Sequence, residues 1–230
     1  MADLALIDSL AAVSPIIFSS TAVLLVIGLF AITLSSYVKI ATVLGVVRVG
    51  MGIGSFPGIF ITGSLAFFLS LFIMFPTLEA SINAAHQVVK RESLPPEQVR
   101  VKAFVAGARV WGKFLHTHAE PEERVRFEQL ARKLKFQDAQ AENIPGETDS
   151  ESFQVLAPAF IVSELKEAFA TGLHIFLPFL VVELIVANLL VAVGLIQLNP
   201  TLVSFPFKLL LFVMADGWTL ITGNLVLSYT

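Results

Sequence analysis

Residues 158–200 read PAFIVSELKEAFATGLHIFLPFLVVELIVANLLVAVGLIQLNP, and 201–218 continue TLVSFPFKLLLFVMADGW. From Leu173 to Leu198 nearly every residue is apolar, with Glu183, Asn188 and Gln197 the conspicuous exceptions. A single helix from Pro158 to Leu198 would be roughly 60 Å long at 1.5 Å per residue, about twice the hydrocarbon thickness of a bilayer. Such a run is expected to bend, and Pro178 and Gly194 are the expected places, because proline removes a helical donor and glycine frees the backbone. The pattern then stops at Asn199-Pro200, restarts after Pro206-Phe207-Lys208 and ends at Asp216-Gly217-Trp218. Two apolar helices joined by a proline-punctuated turn predict a hairpin.

Composition points the same way. Of 230 residues, 56% are hydrophobic and only 14% charged, and the mean hydropathy is +0.81. Soluble domains carry about a quarter charged residues, so long uncharged runs place this chain in the membrane class. A net charge of −3 gives no reason to expect nucleic-acid binding. With no cysteine, thiolate catalysis and disulfides are excluded.

Taken from its start, Met1–Ser14 holds Asp3 and Asp8 and no Lys or Arg, unlike a cleavable signal peptide. Pro15–Leu34 is twenty residues without a charge, enough for one span. The next segment carries Lys39 and Arg48 and runs into Gly50, Gly52, Gly54, Pro57 and Gly58, where a continuous helix is not expected. Ile59–Pro76 is the second apolar run, with Gly63, Ser64, Ala66 and Ser70 as small residues that let membrane helices approach. The fold class expected is therefore all-α: kinked helical hairpins made from four apolar segments, with a small soluble insert.

The insert has eleven Lys/Arg and eleven Asp/Glu between Lys90 and Phe153. Val101, Phe104, Val105, Ala108, Trp111 and Leu115 recur at helical spacing and predict an amphipathic helix over 97–117. Pro121 opens a second helix, with Glu120, Glu122 and Glu123 near its positive dipole end and Val125 or Phe127, Leu130 and Leu134 expected to bury. Gln137–Ser152 reads as a linker. This gives an N-terminal apolar region (1–89), the insert (90–153) and a C-terminal apolar region (154–230).

Chemistry candidates are few. Glu79, Glu164, Glu167, Glu183 and Asp216 are carboxylates in or beside apolar segments, and an ionisable group in a membrane segment is a functional candidate by default. Pairing is the expected role, with Glu164, Lys166, Glu183, Lys208 and Asp216 read as polar contacts to neighbouring subunits and Lys208 or Lys166 as partners for Glu183. His116 and His118 at i, i+2 are a weak metal signal, and His86 and His174 stand alone. No nucleophile elbow, H-E-x-x-H or P-loop is present, and the glycines of 50–58 lack the GK[ST] ending. No catalytic residue, metal or cofactor is expected.

Five pieces of this sequence resemble the export-apparatus family called SctR in injectisomes and FliP in flagella. They are PAFIVSELKEAF (158–169), PFLVVELIVANLL (178–190), the Gly194–Pro200 turn, FPFKLLLFV (205–213) and DGW (216–218). FIMFP at 72–76 also resembles the family's phenylalanine-rich segment. Around 50–58 the chain departs from the family pattern, while Lys39-Ile40 and Arg48 remain. The resemblance implies a non-enzymatic, pore-forming subunit of a type III secretion export gate, an injectisome rather than a flagellum being favoured. Copies would assemble into a helical or ring-like cone above the bilayer plane. Its partners would be further copies, SctS-like and SctT-like subunits, larger SctU-like and SctV-like components, membrane lipid and unfolded secreted proteins.

In FliP-like members a run of methionines follows the glycine, and copies of it ring the channel. The matching positions here are Leu195, Ile196 and Gln197, so the resemblance implies an apolar constriction carried by Leu195 and Ile196. Helix breaks are expected at Gly54, Pro57, Pro178, Gly194, Pro200 and Pro206. Lys39, Arg48 and Lys208 between spans predict that the short turns face the cytoplasm and that both termini and the insert face away from it; the resemblance implies the same arrangement, with the insert in the periplasm of a bacterium and the spans in its inner membrane. The competing reading is a proton-coupled or small-molecule transporter, which calls for internal repeats that the two halves do not display.

Overall fold

A computed structural model describes residues 25, 28–54, 58–91, 96–135 and 153–229. Among them all regular structure is helical: α1 (Tyr37–Met51), α2 (Gly58–Arg91), α3 (Pro96–His118), α4 (Pro121–Lys135), α5 (Phe153–Ala192), α6 (Pro200–Met214) and α7 (Gly217–Leu227). A further helical stretch over 28–33 leads through a turn at 34–36 into α1. Most of the first apolar run, the Pro57 break and the 137–152 linker lie outside the described residues.

Two helices are long and apolar enough to cross a membrane, Gly58–Lys90 and Phe153–Ala192. A third span is formed if α6 and α7, bent by 60°, count as one. Only 22% and 17% of the two apolar windows is buried within the chain. Phe60, Phe68, Phe72, Leu184 and Ile185 are among the large side chains left exposed. That much uncovered apolar surface needs lipid or protein against it.

The turns follow glycine and proline chemistry, at positions that differ in part from expectation. Helix α1 ends on Gly52 (φ 79°), with the Gly52 N–H on Val49 O and the Ile53 N–H on Arg48 O. Helix α5 ends the same way: Gly194 has φ 78°, its N–H reaches Val191 O, and the Leu195 N–H reaches Leu190 O. In both, left-handed backbone lets the next two donors turn back onto orphan carbonyls. Gly54 lies in the non-helical stretch that follows α1. Pro200 is the first residue of α6, where its missing N–H is harmless, and Asn199 Oδ1 caps the Thr201 N–H at 2.9 Å.

Pro178 and Pro206 correct the expectation of breaks, since the helices run through both. Each proline removes one backbone donor, while apolar residues on either side keep all the other helical bonds in a setting with little competing water. The fourth apolar run accordingly begins at Pro200, and its interruption falls at Ala215-Asp216, where Asp216 takes φ 48°.

Two hydrophobic clusters organise the chain. In the first, Ile40, Val43, Leu44 and Val47 of α1 meet Phe179 of α5 and Phe212 of α6. The helices approach closely there: a Cβ added at Gly172 would lie 3.1 Å from Val46, and one at Gly50 would lie 2.9 Å from the Phe176 ring. In the second, Leu34 and Met74 join Phe114 and Leu115 of α3 and Leu156 and Phe160 of α5.

Helix α3 presents an unexpected face to α2. Leu115 is buried and Trp111 half-buried, but Val101, Phe104, Val105 and Ala108 are exposed, while Ala103, Phe114 and Ala119 face inward. On the α2 side a Cβ at Gly107 would lie 3.4 Å from Ser81 O, an ordinary contact distance. On α4, Phe127 packs onto the second cluster, whereas Val125, Leu130 and Leu134 are exposed.

Candidate functional site

Three polar assemblies and one exposed elbow are the features with functional potential. The first assembly is built around Lys39. It sits one turn into α1, in an otherwise apolar stretch, and its side chain is almost wholly buried. Its Nζ lies 3.3 Å from Glu164 Oε1 and 2.8 Å from Glu167 Oε2. Three residues apart on α5, the two carboxylates share a helix face. The ammonium also lies 3.5 Å from Ser228 Oγ and 4.2 Å from the Tyr229 ring centre. The Tyr229 hydroxyl donates to Glu164 Oε2. Burial, then the adjacent Glu164 carboxylate, holds the Tyr229 phenol above its ordinary range, so it remains a neutral donor.

The second assembly joins the turn regions. Lys208 of α6 is fully buried and places Nζ 2.5 Å from Glu183 Oε2 and 2.9 Å from Gly50 O. Thr201 Oγ1 donates to the other Glu183 oxygen at 2.6 Å. Carbonyl, carboxylate and hydroxyl thus satisfy the ammonium and its partner, which a buried pair needs if it is not to be costly. The third assembly lies at the insert: Lys166 Nζ meets Glu120 Oε2 at 2.7 Å and Glu123 Oε1 at 3.1 Å. Ser163 Oγ accepts the Glu120 N–H at 2.8 Å.

Glu164, Lys166, Glu183 and Lys208 each find an opposite charge within their own chain. The suggested Glu183–Lys208 pair does form, as a link within one hairpin. Lys39 and Lys208, two of the three cations behind the expected orientation, are buried within α1 and α6 rather than exposed in turns. Asp216 is exposed in the α6–α7 bend and makes no side-chain capping bond.

The elbow runs from Val193 to Asn199, and each of its residues is exposed. Leu195 is 50% and Ile196 73% exposed, with Gln197 beside them, at the point where α5 gives way to α6. The Gly194 cap fixes the end of α5, and the Asn199 cap together with Thr201–Glu183 fixes the start of α6.

Other candidates disperse. His116 meets Arg124, His118 Nδ1 lies 2.9 Å from Phe114 O, and His174 Nδ1 lies 2.6 Å from Ala170 O. Among the described residues no group of three His, Asp or Glu is placed to hold a metal. Sequence reading missed Tyr229 and Ser228. It also missed the Ser36–Ser70 hydroxyl bond at 3.0 Å and the Trp111 indole bond to Leu34 O at 2.9 Å. The adjacent serines 35 and 36 and the tryptophan in a polar insert were the available signals.

The fold and these pairs define an all-helical membrane protein whose buried charges tie its helices together. The FliP family model matches residues 21–225, and the chain belongs to that family. It is 38% identical over 200 residues to the "Pathogenicity-related ORF2" protein of Xanthomonas campestris pv. glycines, covering 86% of this chain and 89% of that one. Identity to the "Yop proteins translocation protein R" of Yersinia pestis is 35% over 201 residues, covering 87% and 89%. The "Flagellar biosynthetic protein FliP" of Cereibacter sphaeroides is 36% identical over 200 residues, 85% of this chain and 61% of that protein.

Proposed function

We propose that this chain is a pore-forming structural subunit of a type III secretion export gate, passing unfolded proteins across the bacterial inner membrane. The observation that carries this reading is the elbow at 193–199. It is capped at both ends, apolar at Leu195 and Ile196, and left uncovered by the rest of its own chain. A folded chain rarely presents such a turn to water, whereas a ring of them would form a constriction that excludes water and ions until a substrate parts it.

Assembly follows from the same physics. The uncovered faces of α2 and α5 would be buried by further copies and by SctS-like and SctT-like subunits, with SctU-like and SctV-like components beyond and lipid at the periphery. Of the residues read as polar contacts between copies, Lys166, Glu183 and Asp216 keep exposed surface for that role, while Glu164 and Lys208 are buried within their own chain. All four apolar segments would take part in this assembly, and the insert, residues 90–153, would lie on the periplasmic face. The relatives named for translocation and pathogenicity favour an injectisome, and the reading assigns no catalytic step to the chain.

The test is the size of the complex purified in mild detergent, followed by particle imaging. A multi-copy ring with the elbows converging on its axis is expected. A monomer or dimer, or an elbow buried away from any axial opening, would overturn the proposal.

A further inference from the structure

Three separate helices converge on one side chain near the C-terminal end. Tyr229 donates its hydroxyl to Glu164 of α5 and lies beneath the Lys39 ammonium of α1. It also stacks on Phe114 of α3, with ring centres 6.3 Å apart and planes 13° from parallel. The His118 ring, at the last residue of α3, lies 5.1 Å away. Phe114 in turn sits 5.7 Å from Phe160 of α5, inside the second hydrophobic cluster.

We infer that Tyr229 is a positioning residue, a C-terminal latch that clamps the α3–α4 insert onto the helical bundle by joining the Lys39–Glu164 pair to the Phe114–His118 edge of α3. The chemistry divides between the two ends of one side chain. The phenol end closes the hydrogen bonding of a buried carboxylate that already shares an ammonium with Glu167. The ring faces supply a cation–π contact on the bundle side and aromatic stacking on the insert side. Backbone turns hold the tyrosine there, with the Tyr229 N–H on Val226 O and Ser228 Oγ donating to Leu225 O. The insert is thereby fixed in register with residues nearly two hundred positions away from Lys39, whatever the chain transports.

The absence of native cysteine makes the test direct. Spin labels at Ala108→Cys on α3 and Ala170→Cys on α5, both exposed positions, report the insert-to-bundle distance in the full-length protein. A second pair, Val49→Cys with Ala170→Cys, reports the bundle alone. Tyr229→Ala should broaden the first distance distribution and leave the second narrow, and Tyr229→Phe, which keeps the ring, should restore a narrow first distribution. If Tyr229→Ala does not accumulate, His118→Ala carries the test from the insert side with the same broadening expected. An unchanged insert-to-bundle distribution in the alanine variant that accumulates would overturn the latch, as would equal broadening of both pairs.

Discussion

Lys208 Nζ on α6 lies 2.5 Å from Glu183 Oε2 on α5 while also donating to Gly50 O at the end of α1. One ammonium therefore fastens three helices just below the exposed elbow. Removing one partner of a buried ion pair costs about 3–5 kcal/mol, because the other charge is left without its counterion. Glu183 retains 30% side-chain exposure, so water compensates part of this loss.

Lys208→Met should lower the thermal midpoint of the detergent-purified protein by more than Thr201→Val, which removes one donor from Glu183 and leaves the charge pair. The double variant Lys208→Met/Glu183→Leu should recover much of the loss, since the orphan carboxylate goes with it. Equal midpoints for the single and double variants would show that the pair contributes no coupling.

The Lys39–Glu164 pair gives a sharper version of the same test. Both side chains are nearly sealed, 3% and 1% exposed. Lys39→Met should therefore leave the sealed Glu164 carboxylate without its counterion, beside a Glu167 that is 53% exposed, and destabilise the chain by several kcal/mol. Adding Glu164→Leu should restore part of that stability. Denaturation midpoints of the two variants check the order.

How far the sequence discloses this architecture depends on whether a feature is local. Apolar runs around 59–76 and 173–198 announce the long helices, because a helix satisfies its own backbone bonds. Gly194 and Asn199-Pro200 announce the elbow, because left-handed backbone and a proline in the first helical turn leave a residue signature. Pro178 and Pro206 mislead, since a proline's local penalty says nothing of the apolar setting that absorbs it. Nor does the Val101–Phe104–Val105 stripe identify the buried face of α3, which Phe114 and Leu115 occupy against Leu34, Met74 and Phe160, residues far away in sequence. Tyr229 is the least legible, since its role comes from Lys39, Glu164 and Phe114, all distant in sequence.

Glycines separate backbone from packing effects. A Cβ at Gly217 would come within 2.3–2.8 Å of the Phe212 ring, whereas nothing lies within 4 Å of one at Gly194. Gly217→Ala should act through overpacking, at about 1–3 kcal/mol. Gly194→Ala should act through its φ of 78° alone, at about 1–2 kcal/mol. Combining Gly217→Ala with Phe212→Leu, which makes room, should recover stability, and no neighbouring substitution should do so for Gly194→Ala. Thermal midpoints of the four proteins decide.

The elbow makes the prediction closest to function. Ile196 is the most exposed large side chain between α5 and α6, and the hydrophobic constriction proposed above depends on its refusal to hold water. A carboxylate there carries its hydration shell into the opening, and in a ring every copy carries one, so repulsion and wetting act together. Ile196→Glu should therefore leave assembly and thermal stability almost unchanged, because the side chain has few contacts to lose within its own chain. It should nonetheless make cells or proteoliposomes carrying the complex leak ions, measured as dye release or conductance against the unsubstituted complex. Ile196→Met should stay sealed, since a thioether is apolar and flexible. If the Glu variant assembles normally and conducts no more than the parent, the constriction lies elsewhere than this turn.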